Sequence, residues 1–187
     1  MNSVRRTIIV YIWATSDSNP GHASMQVEED YISYWPTSED SALKNGVKNP
    51  PSKGNLNDFK LGATHKASFP SSYRVDRRLE RKDADYKIEI TGLDFDAIKN
   101  QWREFKEQEK RYNMQKRNCS TVVASFLELG SNIPYKKTPC VRINQHIGDP
   151  VARFFLKLRY LGHWVKMWTP NDVHLYALQI KAAKGFS

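Results

Sequence analysis

Hydrophobic residues in this chain follow two different patterns, and the change between them at Asp94 constrains the fold more than any other feature. Before Asp94, β-branched and aromatic residues form short runs between turn residues, which is typical of β-strands. After Asp94, apolar residues recur every three or four positions, as in amphipathic helices, and Asp94 itself is a suitable N-cap. The sequence therefore predicts an α+β fold. We expect strands at 7–13, 22–27, 31–36 and 85–92, and helices at 95–111, 118–130, 149–160 and 169–183.

The length of 187 residues predicts one domain that spans residues 1–187. Within it, residues 37–72 are rich in proline, glycine and serine and show no sustained period. Long segments of this kind are usually functional, so we expect a loop or lid that selects the substrate. Residues 149–187 are expected to form a C-terminal helical extension.

The cysteine content and the N-terminus indicate a reducing compartment. Cys119 and Cys140 are too few for a disulfide framework, so both are expected to be thiols. The apolar run behind Arg6 covers only residues 7–13, and no run of 18 apolar residues exists. We therefore expect no signal peptide, no transmembrane segment and a cytoplasmic location in the producing cell.

The formal net charge of +9 favours an acidic partner, which could be nucleic acid, an anionic membrane surface or a charged protein. The basic residues gather in two segments, 73–83 and 106–117, and acidic residues are interleaved with both. Because of that interleaving, the sequence predicts an ordinary solvated face for most of this charge.

Cys119 lies at a position where a thiol is readily activated. Asn118 is the predicted N-cap, which makes Cys119 the first residue of a helix, and Lys116 and Arg117 precede it. Free amide hydrogens, the positive end of the helix dipole and nearby cations all lower the pKa of a thiol. Cysteine is also common in protein cores, so the pattern alone leaves a buried, inert thiol as an equal alternative.

His22 is the best candidate for a base that could work with Cys119. It follows Gly21 at the start of a predicted strand, whereas the other histidines lie in a loop or near C-terminal helices. A histidine at a strand end that faces a cysteine at a helix start is a known nucleophile–base arrangement. Strict alternation puts His22 on the face opposite Met25, so we expect a bulge or twist at Gly21 to redirect it.

The segments GHASMQVEEDYISYWP, LDFDAIKNQW and RNCSTVVASFLELG together resemble the circularly permuted papain-like superfamily. In that superfamily the histidine strand precedes the cysteine helix. Within it, the chain is most similar to bacterial effector and toxin domains of the kind found in the Rho-inactivation domain of multifunctional RTX toxins and in the Shigella effector IcsB. The resemblance covers roughly residues 7–130. It implies a small antiparallel sheet packed on the helix that carries the nucleophile, with additional C-terminal helices.

The resemblance also implies the site residues. Cys119 takes the place of the catalytic cysteine and His22 that of the catalytic histidine. The third polar residue of the related acyltransferases has no counterpart in YISYWP, which offers no acid or imidazole. We expect Asp76 to take this role, with Glu80 and Asp40 as substitutes. The residues expected to contact substrate are Trp35, Asn118 and Ser120.

The chemistry implied is attack of a cysteine on a carbonyl to form a thioester, which water or an amine then resolves. Related enzymes hydrolyse amides in protein or peptidoglycan, or transfer fatty acyl groups to lysine. We therefore expect a bacterial effector or toxin, delivered by a secretion system, with a protein, peptide or acyl substrate. Further expected partners are a cognate immunity protein or chaperone and an anionic membrane. No cofactor, metal or nucleic acid is expected.

The alternative is a binding module that does no chemistry. In that case the basic segments 73–83 and 106–117 hold nucleic acid or anionic lipid, and Cys119 is inert. No recognised nucleic-acid motif supports this alternative.

Overall fold

The computed structural model describes residues 6–16, 20–37, 64–108, 111–135, 140–142 and 164–185. These residues form an α+β fold, as predicted, with a small antiparallel sheet. The strands are β1 (Thr7–Trp13), β2 (His22–Val27), β3 (Asp30–Ile32), β4 (Trp35–Pro36), β5 (Ala67–Ser68), β6 (Tyr86–Thr91), β7 (Cys140–Arg142) and β8 (Trp164–Lys166). The helices in the described ranges are α1 (Tyr73–Glu80), α2 (Phe95–Glu107), α3 (Cys119–Ser131) and α4 (Pro170–Gly185).

The main sheet has four antiparallel strands in the order β3-β2-β1-β6. Its inner face is apolar because alternate residues of neighbouring strands meet there, as Val10 does with Met25 and Ile88. Helices α3 and α4 pack on the sheet, and α2 packs on α3. Two smaller ladders join β4 to β5 and β7 to β8.

The predicted helix signals are confirmed at α2 and α3. Asp94 caps α2 by accepting a hydrogen bond from the amide of Ala97 at 2.9 Å. The apolar stripe of α2 is buried, as expected from its spacing; it consists of Phe95, Ile98, Trp102 and Phe105. Helix α2 ends at Glu107, four residues before the predicted end at 111.

Gly130 does not end α3, contrary to the prediction. The helix continues to Ser131, and Asn132 adopts the left-handed conformation that closes it, with φ of 55°. Gly130 instead lies where α3 crosses α2, because a methyl group at this position would overlap the side chain of Ile98. The glycine is thus explained by close helix packing rather than by helix termination.

The segment 73–83 was expected to be a charged surface stretch, and it forms helix α1 over most of its length. The expected long loop 37–72 is ordered at both ends: β5 pairs with β4, and the backbone of His65 bonds that of Tyr112. Residues 38–63, which make up most of the predicted lid, lie outside the described residues, as does the predicted helix at 149–160.

Gly21 is required by the turn that leads into β2. Its φ is +73°, and a methyl group there would overlap the carbonyl oxygen of Trp13. We expect Gly21→Ala to lower the free energy of unfolding by about 1–3 kcal/mol, because the side chain adds both backbone strain and a clash. Denaturant unfolding followed by circular dichroism measures the change.

Gly185 offers the matched control for this substitution, since a methyl group there meets nothing within 4 Å. Gly185→Ala should leave the unfolding midpoint within experimental error or raise it slightly. Equal midpoints for the two variants would contradict the role assigned to Gly21.

Candidate active site

Cys119 is the first residue of α3, and Asn118 holds it there. The Asn118 carbonyl oxygen Oδ1 accepts hydrogen bonds from the Thr121 amide at 2.8 Å and the Thr121 hydroxyl at 3.0 Å. Its Nδ2 donates to the backbone oxygens of Met114 and Trp168, both at 2.9 Å. These four bonds use the full capacity of an amide side chain. Asn118 therefore positions the helix start, and the substrate contact expected of it stays a prediction.

The Cys119 thiol is 8% exposed and has three polar neighbours. It hydrogen-bonds the His22 imidazole, receives the backbone N–H of Ala23 and lies 3.8 Å from the Ser120 hydroxyl. Burial alone would raise the pKa of the thiol. The charge of His22, together with hydrogen bonds from His22, the Ala23 backbone and Ser120, outweighs burial. These effects hold the pKa of Cys119 below its usual range. Ser120, expected to contact substrate, is itself fully buried beside the thiol.

His22 is buried and forms hydrogen bonds from both sides of its ring. Nε2 lies 3.1 Å from Asp76 Oδ2 and 3.1 Å from Ser33 Oγ, which leaves Nδ1 as the nitrogen for Cys119. Burial lowers the pKa of the imidazole, but the carboxylate of Asp76 and the thiolate of Cys119 together raise it to about 10. Both shifts favour the charged forms of the pair, a thiolate beside an imidazolium, over the neutral forms.

The position of His22 on β2 needs no bulge, contrary to expectation. His22 lies in regular register opposite Trp13, on the face that also carries Ser24. The Cys119 thiol accepts a hydrogen bond from the backbone N–H of Ala23, the residue next to His22. Because backbone N–H groups point along the plane of a sheet, this bond places the thiol beside β2 and close to His22. Strand β3 pairs with β2 only from Met25 onward, so the edge at Ala23 is open to the start of α3. The thiol lies at this edge, within reach of His22.

Asp76 is fully buried on α1 and accepts hydrogen bonds from four side chains. The hydroxyl of Tyr31 and Nε2 of His22 bind Oδ2 at 2.6 and 3.1 Å. The hydroxyl of Ser33 and Nε1 of Trp35 bind Oδ1 at 3.0 and 2.8 Å. Burial would raise the pKa of this carboxyl, but His22 and the hydrogen bonds hold it below its ordinary value. The carboxylate is thus built to stay ionised.

Three donors to Asp76 come from the segment YISYWP, although this segment holds no acid or imidazole. Tyr31, Ser33 and Trp35 are alternate residues, so an extended chain presents all three on one side. Trp35 also stacks on the His22 ring, with centroids 4.2 Å apart, and is 5% exposed. Trp35 therefore supports His22 and Asp76, and its expected substrate contact stays a prediction. Polar-tipped side chains at every second position were the signal that could have identified this group.

The structure brings together Cys119, His22 and Asp76, three residues selected from sequence. Glu80, a substitute for Asp76, is buried one helical turn further along α1, and His22 bonds Asp76 instead. Asp40, the other substitute, lies outside the described residues. The geometry favours Asp76 as the partner of His22.

In the described ranges, two other kinds of site are absent. No group of three or more His, Cys, Asp or Glu side chains there could hold a metal ion. No helix in the same ranges has the length and apolar character needed to cross a membrane.

Comparison with known proteins gives one match. The family described as the IcsB middle domain matches residues 80–140, about a third of the chain. No curated protein and no solved structure matches. The matched region contains Cys119 and begins after His22 and Asp76. The match supports a relationship to a bacterial effector domain.

Proposed function

We propose that this protein is a cysteine-dependent hydrolase or acyltransferase of the bacterial effector class, with Cys119, His22 and Asp76 as its working residues. The observation that carries the proposal is the buried arrangement of thiol, imidazole and carboxylate. The pKa of Cys119 is lowered and that of His22 is raised, and both shifts favour the ionised nucleophile before substrate arrives. A thiol buried only for packing gains nothing from such an arrangement.

In the first half of the reaction, the Cys119 thiolate attacks a carbonyl carbon and forms a C–S bond. The electron pair of the carbonyl moves to oxygen, where amide hydrogens stabilise it. The N–H groups of Cys119 and Ser120 are suited to this, because the first helical amides have no acceptor within the helix. The next two amides are already used: those of Thr121 and Val122 bond Asn118.

Collapse of this intermediate expels the leaving group, which takes the proton of His22, and leaves an acyl group on Cys119. Neutral His22 then removes a proton from water or an amine as it attacks the thioester. The thiolate leaves and the imidazolium is restored. Asp76 does not touch the substrate; it orients His22 and stabilises its charge, so it acts as a positioning residue.

The pH dependence of alkylation tests the nucleophile. We expect the rate at which iodoacetamide modifies Cys119 to stay high below pH 7, because His22 keeps the thiol ionised there. The rate at Cys140 should fall about tenfold for each pH unit below its ordinary pKa of about 8.5. Peptide mass spectrometry resolves the two cysteines, and comparing the shapes of the two profiles removes any difference in their absolute rates.

His22→Gln is the control for this measurement. It should move the Cys119 profile to that of an ordinary thiol and leave Cys140 unchanged. Parallel profiles for both cysteines in the unaltered protein would contradict an activated thiol.

The reaction class is tested with an activated ester as acyl donor. We expect intact mass spectrometry to show an acyl adduct on Cys119 that is absent from Cys119→Ser. If added lysine peptide accelerates loss of the adduct and becomes acylated, the protein is an acyltransferase; if water alone removes it, the protein is a hydrolase. No adduct under either condition would overturn the proposal.

A further inference from the structure

Helix α1 sorts its charged residues between two faces. Asp76 and Glu80, four residues apart, are both buried on the inner side. Arg74 and Arg78, also four residues apart, are exposed, and Arg81 follows them at the exposed C-terminal end of the helix. The acids that balance the arginines in sequence are therefore not on the surface with them.

The exposed acids that follow α1 do not restore the balance. Asp83 pairs with Arg77 at 3.1 Å, and Asp85 pairs with Lys82 at 2.7 Å. Within the described residues, no ion pair is formed by Arg74, Arg78 or Arg81, which we call the arginine face. The expectation of a balanced, solvated face across residues 73–83 is thus wrong for the surface of α1.

The stability of α1 explains the arginine face only in part, because the helix dipole favours Arg78 and Arg81 at the C-terminal end and disfavours Arg74 in the first turn. Like charges four residues apart on a helix repel and destabilise it by a few tenths of a kcal/mol. Positions 74, 78 and 81 lie within about 11 Å along a helix axis. Arginine at these positions adds repulsion without a described partner, which favours a role in binding an external anion.

The surroundings of the arginine face favour an extended anionic surface over a protein or a nucleic acid. The large apolar residues that the described part of the chain exposes lie on β6, α3 and α4, so α1 lacks the apolar centre of a typical protein interface. The aromatic ring that α1 itself carries is already packed against others: Tyr73 lies on Tyr11 and Trp13, with centroids 4.5 and 5.6 Å apart. They offer no platform for bases.

We infer that the arginine face docks this protein on a membrane surface rich in anionic phospholipid. Guanidinium groups bind phosphate through paired N–H donors, and each cation near such a surface adds to the attraction. The contact uses the outer side of α1, while Asp76 occupies the inner side, so docking leaves the site intact. The inference does not depend on Cys119 being a nucleophile.

Vesicle sedimentation tests the inference. We expect the protein to bind vesicles of phosphatidylserine and phosphatidylcholine at low salt, and not vesicles of phosphatidylcholine alone. Changing Arg74, Arg78 and Arg81 together to glutamine should weaken binding on the order of 100-fold. Binding of the unaltered protein should decline steeply as NaCl is added.

A triple variant of equal charge is the matched control. Arg103→Gln, Lys166→Gln and Lys181→Gln remove three exposed cations from α2, β8 and α4, and together they should weaken binding far less. Equal losses in the two triple variants would overturn the arginine face as the docking surface and leave only net charge. Tighter binding to duplex RNA or to an acidic protein than to the vesicles would overturn the membrane as partner. Cys119→Ala should bind like the unaltered protein, so this test and that of the nucleophile can fail separately.

Discussion

Cys119→Ser and His22→Gln are each expected to reduce turnover of an ester substrate by a factor on the order of 10⁴ or more. Serine at position 119 keeps the shape of the side chain but stays protonated at neutral pH. Glutamine at position 22 keeps a donor for Asp76 but cannot take or return a proton. The double variant should be scarcely slower than either single one, because both residues serve one chemical step.

Melting temperature distinguishes this result from a loss of structure. Cys119→Ser should melt close to the unaltered protein, since the change is isosteric and the thiol is at the edge of the core. If the two losses of turnover multiplied in the double variant, or if toxicity in target cells survived in Cys119→Ser, the shared mechanism would be wrong.

Asp76→Ala is expected to lower the free energy of unfolding by about 3–5 kcal/mol, because it removes one partner of a buried charged pair. It also removes the carboxylate that accepts from four buried side chains, those of His22, Tyr31, Ser33 and Trp35. Asp83→Asn is the control, since this exposed carboxylate pairs only at the surface and should cost less than about 1 kcal/mol. Equal losses in the two variants would contradict the buried network.

Asp76→Asn separates the orienting role of the carboxylate from its structural role. Oδ1 can still accept from Ser33 and Trp35, so we expect a smaller loss of stability than in Asp76→Ala. The new amide donates toward Nε2 of His22, which favours a neutral ring with its proton on Nδ1, facing the thiol. That tautomer cannot accept the thiol proton, so the pKa of Cys119 should rise and turnover should fall on the order of 10⁴-fold.

The response to acid gives an independent readout of Asp76. Because its folded-state pKa is depressed, its contribution to stability is present above the ordinary carboxyl pKa of about 3.9 and is lost as pH falls through the folded value. Unfolding curves at a series of acidic pH values should therefore converge for the unaltered protein and Asp76→Asn. Curves that stay parallel to the lowest pH would contradict an ionised Asp76 in the folded protein.

The elements that local chemistry specifies were predictable from sequence. Strand β1 follows from its β-branched run, and the bounds of β2 agree with the prediction. The starts of α2 and α3 follow from Asp94 and Asn118, because an N-cap acts through a side chain and an amide only three residues away. Cys119 could be placed at a helix start for the same reason.

The environment of His22 was decided by tertiary structure. Its partners come from the segment after β3 and from helices α1 and α3, and Asp76 is 54 residues away in sequence. Alternation along β2 indicated the face of His22 correctly. It did not indicate that Cys119 approaches His22 at the open edge of β2. Contacts of this kind depend on how separate elements pack, and no local pattern records them.

Sequence alone determined which residues of this protein carry ionisable and nucleophilic groups, and which of them start a strand or a helix. Tertiary structure alone decided that Asp76 faces His22, that Tyr31, Ser33 and Trp35 support Asp76, and that Asn118 bonds the backbone of Trp168. It also turned the acids of α1 inward and the arginines outward. The physical reason is the same in each case: burial makes a polar group costly unless partners surround it, and those partners are brought together only when the whole chain folds.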